Sequence, residues 1–184
     1  GYSPGMMLAE GERSLQRAAA IVDSHADAPA VQVLSVRTQL GDWYQLRSQP
    51  EKALPEYRLS WQAAQKITDR IDGKTYSEVV FGQPTLLHIT RPEGSNRHAG
   101  KPADRVEIRS VVVEFTVNAQ GRVEKAKIVD DSGDEKRASK TAATLEDTAR
   151  YRPRFENGEP VATDGIVFTQ AWTLLLPPPP ATTP

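Results

Sequence analysis

Few residues in this chain could do chemistry, and their spacing argues against it. The histidines are His25, His88 and His98, which lie on three separate segments. None stands three or four residues from a second histidine or a carboxylate pair in the way a metal-binding helix face requires. The run Asp130-Asp131-Ser132-Gly133-Asp134-Glu135 is acidic enough to suggest calcium. An EF-hand loop needs alternating oxygen ligands over twelve positions and a closing glutamate. That spacing is absent, so the run reads as a solvated turn with acids at the start of the next helix. Ser132-Gly133 lacks the flanking glycines of a nucleophile elbow, and there is no glycine-rich phosphate loop. Cysteine is absent, which excludes a thiol nucleophile, thiolate zinc and disulfides. Trp43, Trp61 and Trp172 read as core or interface anchors rather than a ligand cage. We therefore assign no catalytic, cofactor-binding or metal-binding residue and expect a non-enzymatic protein without a cofactor.

The elements that would carry a function must then be found by pattern. At 184 residues the chain has room for one large or two small domains. Its apolar content of 38% is enough for a core, and its net charge of -1 gives no basic surplus for nucleic acid or an anionic membrane. No apolar run approaches the ~18 residues of a membrane span. The chain opens on Gly1, which is compatible with a signal or anchor removed ahead of it.

Residues 5–75 read as helical. Leu8, Leu15, Ala19 and Val22 predict a first helix ending before Asp27-Ala28-Pro29. Val33, Leu34, Val36, Leu40, Tyr44 and Leu46 predict a second, from about Ala30 to Arg47. Pro50 suits the first position of a third helix, which uses Ala53, Leu54, Tyr57, Trp61, Ala64 and Ile67 and runs to about Ile71, with Gly73 as its stop. Helices two and three resemble a tetratricopeptide repeat, whose signature is W-x2-L-G-x2-Y and then A-x3-F. Here the positions hold Arg37, Leu40, Gly41, Tyr44, Ala53 and Tyr57. Gly41 would allow close helix approach, Tyr44 would fill the groove and Ala53 would face it. Arg37 replaces the tryptophan, and Pro55 should remove a hydrogen bond and bend the third helix. The groove could bind protein; a hairpin that merely covers its neighbour is the preferred reading.

Residues 76–104 read as linker or irregular chain. Pro84 to Ile89 could form a short strand, and the stretches Arg91–Asn96 and Ala99–Pro102 are loop material. Asp104 to Ser110 would extend the next strand backwards.

Residues 105–176 form the third segment, and 177–184 a proline-rich tail. Val111, Val113, Phe115 and Val117 alternate with Glu114, Thr116 and Asn118, the pattern of a half-buried strand. Asn118-Ala119-Gln120-Gly121 supplies the hairpin turn. The returning strand carries Val123, Ala126 and Ile128 out of phase, which predicts a bulge near Glu124-Lys125. A helix follows from about Glu135 to Arg150, with Ala138, Ala142, Leu145 and Ala149 on one face. Tyr151-Arg152-Pro153-Arg154-Phe155 breaks it, and Glu156 to Pro160 is a second turn. A third strand runs from Gly165 to about Leu175, with Ile166, Phe168, Trp172 and Leu174 in one register. The fold class is α+β, with a ββαβ unit whose sheet is three-stranded and antiparallel.

The Val113–Val123 hairpin, Ile128–Gly133 and Tyr151–Val161, taken in this order, resemble the TonB C-terminal domain family over about Val106 to Leu175. The resemblance implies a periplasmic domain in a Gram-negative envelope. Such a domain grips a short peptide of an outer-membrane transporter by adding it to the edge of its sheet, on behalf of an inner-membrane protein driven by a proton motor. An exposed edge offers unpaired N–H and C=O groups to such a peptide. The edge expected to recruit it is Ile166, Val167, Phe168, Thr169, Gln170, Ala171, Trp172, Thr173 and Leu174. A protein or peptide partner is thus expected, with a homodimer as a further arrangement. Three features depart from the family pattern: helices stand where a proline-rich spacer should be, no membrane anchor is visible, and Pro177–Pro180 follow the last strand. The alternative is an envelope assembly or secretion adaptor that works through the helical groove near Tyr44 and Tyr57.

Overall fold

The computed structural model describes residues 4–90 and 106–175. The turns expected at Arg91–Asn96 and Ala99–Pro102, the residue His98 and the run Pro177–Pro180 lie outside the described residues.

Three long helices open the chain: α1 Pro4–Ser24, α2 Ala30–Leu46 and α3 Pro50–Gln65. Pro50 occupies the start of α3, where its missing N–H leaves no intrahelical bond unmade. Helices α2 and α3 cross at Gly41. A Cβ there would stand 2.5 Å from a ring carbon of Tyr57, so only glycine permits the approach. Ala53 and Tyr57 are fully buried beside it. Arg37, in place of the repeat's tryptophan, joins three helices: it pairs with Asp23 of α1 and, at 2.6 Å, with Glu56 of α3. Helix α3 runs on through Pro55, which faces solvent.

One expectation for this half needs correction. Leu46 lies in α2 as expected and is 46% exposed at its end, beyond the crossing. Helix α3 stops at Gln65 rather than Ile71: Ile71 and Lys74 exchange two backbone hydrogen bonds of 2.9 Å around Asp72-Gly73. A further helix, α4 Tyr76–Phe81, lies in the stretch read as irregular. Its start is a capping box: Thr75 Oγ1 accepts from the Glu78 N–H at 3.3 Å, and Glu78 Oε2 accepts from the Thr75 N–H at 2.7 Å.

Strand β1 (Thr85–His88) pairs antiparallel with β4 (Arg150–Arg152). The main sheet contains β2 Val106–Val117, β3 Val123–Asp130 and β7 Thr163–Leu175, antiparallel in the order β3-β2-β7. Helix α5 (Glu135–Thr148) covers one face. Val111, Val113, Phe115 and Val117 point into that core against Ala138 and Leu145, as period-2 alternation requires. The expected bulge in β3 is present. Glu114 faces Lys127 and Thr116 faces Glu124, with Lys125 at a φ of 57°. The α+β class and the three-stranded sheet with its helix are therefore as the sequence predicts.

The segment read as a break after α5 is structured. The helix ends at Thr148 because Arg150–Arg152 finds β1. Beyond Pro153, β5 (Arg154–Glu156) folds back on β6 (Glu159–Val161) around Asn157-Gly158. Strand β7 begins at Thr163 and holds Ile166, Phe168, Trp172 and Leu174 in one register, with Leu174 39% exposed near the strand's end.

Candidate protein-interaction site

Strand β7 lies at one edge of the β3-β2-β7 sheet. Among the described residues it pairs only with β2, so its outer edge carries unpaired backbone groups on every second residue. Ile166 and Phe168 are half-buried on the α5 side, and Trp172 is buried there with Arg137 stacked 4.4 Å from its ring centre. Gln170 is buried too, accepting from Thr141 Oγ1 at 3.2 Å. Val167, Thr169 and Ala171 face out on the uncovered side, opposite Glu114, Val112 and Ser110. Thr173 is half-buried. No residue from Gly165 to Leu175 is charged.

The other edge of the sheet differs. Strand β3 carries Glu124, Lys125, Lys127 and Asp130, and its register against β2 shifts twice. The N–H of Ala126 already donates to Glu146 Oε1 of α5 at 3.0 Å. Charges and bulges are the usual devices by which an edge is blunted. Strand β3 has them and β7, from Ile166 onward, does not.

Residues 109–172 match the family described as Gram-negative bacterial TonB protein C-terminal. The match runs from Arg109 in β2 to Trp172 in β7 and takes in both sheet edges. TonB C-terminal domains are periplasmic, bind protein partners and are non-catalytic. No curated protein matches the chain. The helical half lies outside the matched residues.

The TonB-like unit is locked to the helices through side chains that sequence reasoning missed. Gln45 of α2, only 1% exposed, donates from Nε2 to the carbonyl of Gln120 in the TonB-like hairpin turn at 2.6 Å. Gly121 follows at a φ of 74°, its carbonyl accepting from the Tyr151 N–H at 2.9 Å. A Cβ at 121 would stand 2.0 Å from the Tyr151 carbonyl and 2.2 Å from Gln45 Nε2. Arg152 reaches Asp42 with two bonds of 2.9 and 2.6 Å and the Val80 carbonyl at 3.1 Å. Asp42 also accepts from the Tyr57 hydroxyl at 2.8 Å. Burial first, and then the Asp42 charge, push the Tyr57 phenol far above its ordinary pKa. Phe155 completes an aromatic cluster, 6.2 Å from Tyr57 and 5.0 Å from Phe81 between ring centres.

The helical surface near Tyr44 and Tyr57, the alternative groove, is thus occupied by the chain itself. Tyr57 has no exposed surface, and the hydroxyl of Tyr44 accepts from Gln16 of α1 at 3.0 Å. Arg58 forks onto Glu159, with contacts of 3.1 and 2.7 Å to Oε2, and this bond holds the Glu159 carboxyl below its ordinary pKa. A polar Asp42 inside an apolar helix stripe, and an arginine beside the helix-breaking Pro153, were the available signals for this joint.

The residues that could have done chemistry stay apart. His25 follows α1 with Nδ1 2.8 Å from the Ile21 carbonyl, and His88 is exposed on β1. Asp130, Asp131 and Asp134 accept the N–H groups of Ser132, Gly133 and Arg137 at 3.1, 2.8 and 3.0 Å. No metal-binding group of three His, Asp or Glu occurs among the described residues. No described helix is long and apolar enough to cross a membrane.

Proposed function

We propose that this protein is a non-enzymatic, periplasmic binding module that recruits a partner segment by strand addition to the outer edge of β7, between Ile166 and Leu174. The observation carrying the reading is the contrast between the two sheet edges. Strand β3 is charged, bulged along its length and bonded to Glu146, whereas β7 from Ile166 onward is uncharged and keeps an unbroken register against β2. Main-chain hydrogen bonds supply such a contact, each contributing roughly 0.5–1.5 kcal/mol net. Ordering the incoming segment takes much of this back, so affinity is modest. The family supports a protein partner; an outer-membrane transporter is the partner class its known role suggests.

In this reading the chain divides into a repeat-like helical unit at 5–75, a connection at 76–104 and the TonB-like unit at 105–176. The helical unit acts as a scaffold, because its inner surface is spent on Phe155, Arg152 and Glu159. That arrangement weighs against an adaptor whose working surface is the groove at Tyr44 and Tyr57.

The test is Thr169→Pro compared with Lys127→Pro, each first checked for native amide protection along β2. Loss of partner capture from a Gram-negative envelope extract with Thr169→Pro, and retention with Lys127→Pro, supports the reading. Full capture by a folded Thr169→Pro protein ends it.

A further inference from the structure

We infer that Phe155 and Trp61 are positioning residues for the leading end of β7, so that the helical unit sets the order of the recruiting edge from a distance. The inference rests on β7 being that edge. The leading end is where β7 is held least well by its own sheet. The β2–β7 register shifts between Phe115 and Val117, and Gly165 sits in that shift at a φ of 69°. A bulged, glycine-containing strand start has few ladder bonds to fix it. Within the sheet Asp164 accepts from Thr116 Oγ1 of β2 at 2.6 Å, and further anchorage comes from the preceding hairpin. Only Ala162 separates β6 from β7. Arg154 of β5 reaches Thr163 of β7 with Nε to Oγ1 at 3.2 Å.

That hairpin is in turn fastened to the helices. Phe155 belongs to the helical core with Tyr57 and Phe81. Trp61 of α3 packs on the hairpin turn, close enough that a Cβ at Gly158 would meet its ring at 3.3 Å. Arg58 and Glu159 close the rim. The path from Trp61 through the β5–β6 hairpin to Thr163 is therefore a continuous chain of packed groups. It ends where an incoming strand would begin to pair. Loosening it should fray β7 from its leading end, and regions of low local stability open first.

The experiment is amide hydrogen exchange on the full chain without any partner, comparing the native protein with Trp61→Ala, Phe155→Ala and Phe155→Leu. Trp61 lies wholly in the helical unit, so its effect on β7 must cross the joint. Expected is a several-fold rise in exchange at Ile166 to Phe168 for Trp61→Ala and Phe155→Ala, near-native exchange for Phe155→Leu, and no change at Val113 or Val123. Unchanged exchange in β7 overturns the inference. So does a uniform rise through β2, β3 and α5, which would mark a general loss of stability. Because no partner is present, this result is independent of whether β7 captures a strand.

Discussion

The side-chain amide of Gln45, on the second helix, donates to the backbone carbonyl of Gln120, 75 residues later, at 2.6 Å. This bond takes a buried side chain of the helical unit to the tip of the TonB-like hairpin. Replacing Gln45 with Ala removes this bond and opens a hole beside Gly121. A net hydrogen bond contributes roughly 0.5–1.5 kcal/mol. For a chain of this size each kcal/mol shifts Tm by roughly 2–4 °C. Calorimetry on Gln45→Ala should show a drop of that order.

Arg152 and Asp42 form the polar centre of the same joint. Asp42→Asn keeps the shape but leaves a largely buried guanidinium without its counter-charge. Breaking one side of such a pair costs about 3–5 kcal/mol. Urea unfolding should show a loss at the lower end of that range, because both side chains keep some solvent contact. Asp42→Asn with Arg152→Met should recover part of it.

Stability should fall steeply in alkali. Burial raises the pKa of Tyr151 to about 12 and that of Tyr57 further, from an ordinary value of 10.0. A raised folded-state pKa means the stabilisation is complete below the unfolded pKa and lost as pH rises above it. Between pH 10 and about 12 each phenol contributes a fall of at most about 1.4 kcal/mol per pH unit. Tyr57→Phe should flatten the fall, measured by denaturant titration across this range. Phenolate absorbance for Tyr57 should appear only with unfolding.

Glu146→Ala should unblock the other sheet edge. The Ala126 N–H then loses its acceptor at 3.0 Å. Its exchange should speed up by about three- to tenfold, the equivalent of a net hydrogen bond of roughly 0.5–1.5 kcal/mol. Concentration-dependent self-association, read by sedimentation, should rise in parallel because an unprotected edge pairs with other edges.

The sheet was legible in the sequence because its signals are local. Alternation at Val111 to Val117 named the inward face, and Asn118 to Gly121 named the turn. The phase slip after Val123 gave the bulge that Lys125 makes. The joint was not legible because its partners are distant in sequence. Phe81 and Phe155 each sit in segments without periodicity, and only the fold brings them to Tyr57. Helix α4 is one capped turn and a half, too short for an amphipathic stripe to register. Of the candidate site, Ile166 to Trp172 show the strand, but its place at an edge of the sheet is not a local property. That place depends on strand order, and the contrast with the other edge on Glu146 reaching Ala126.

The most direct measurement is photo-crosslinking in a Gram-negative envelope, with the probe placed in turn at Thr169 on β7, Lys127 on β3 and Arg58 on α3, and the products identified by mass spectrometry. Expected is a covalent partner captured through Thr169 and absent at Lys127, with the crosslinked partner residues lying in one extended segment. Capture only through Lys127 or Arg58, with Thr169 yielding nothing, would contradict recruitment at the β7 edge.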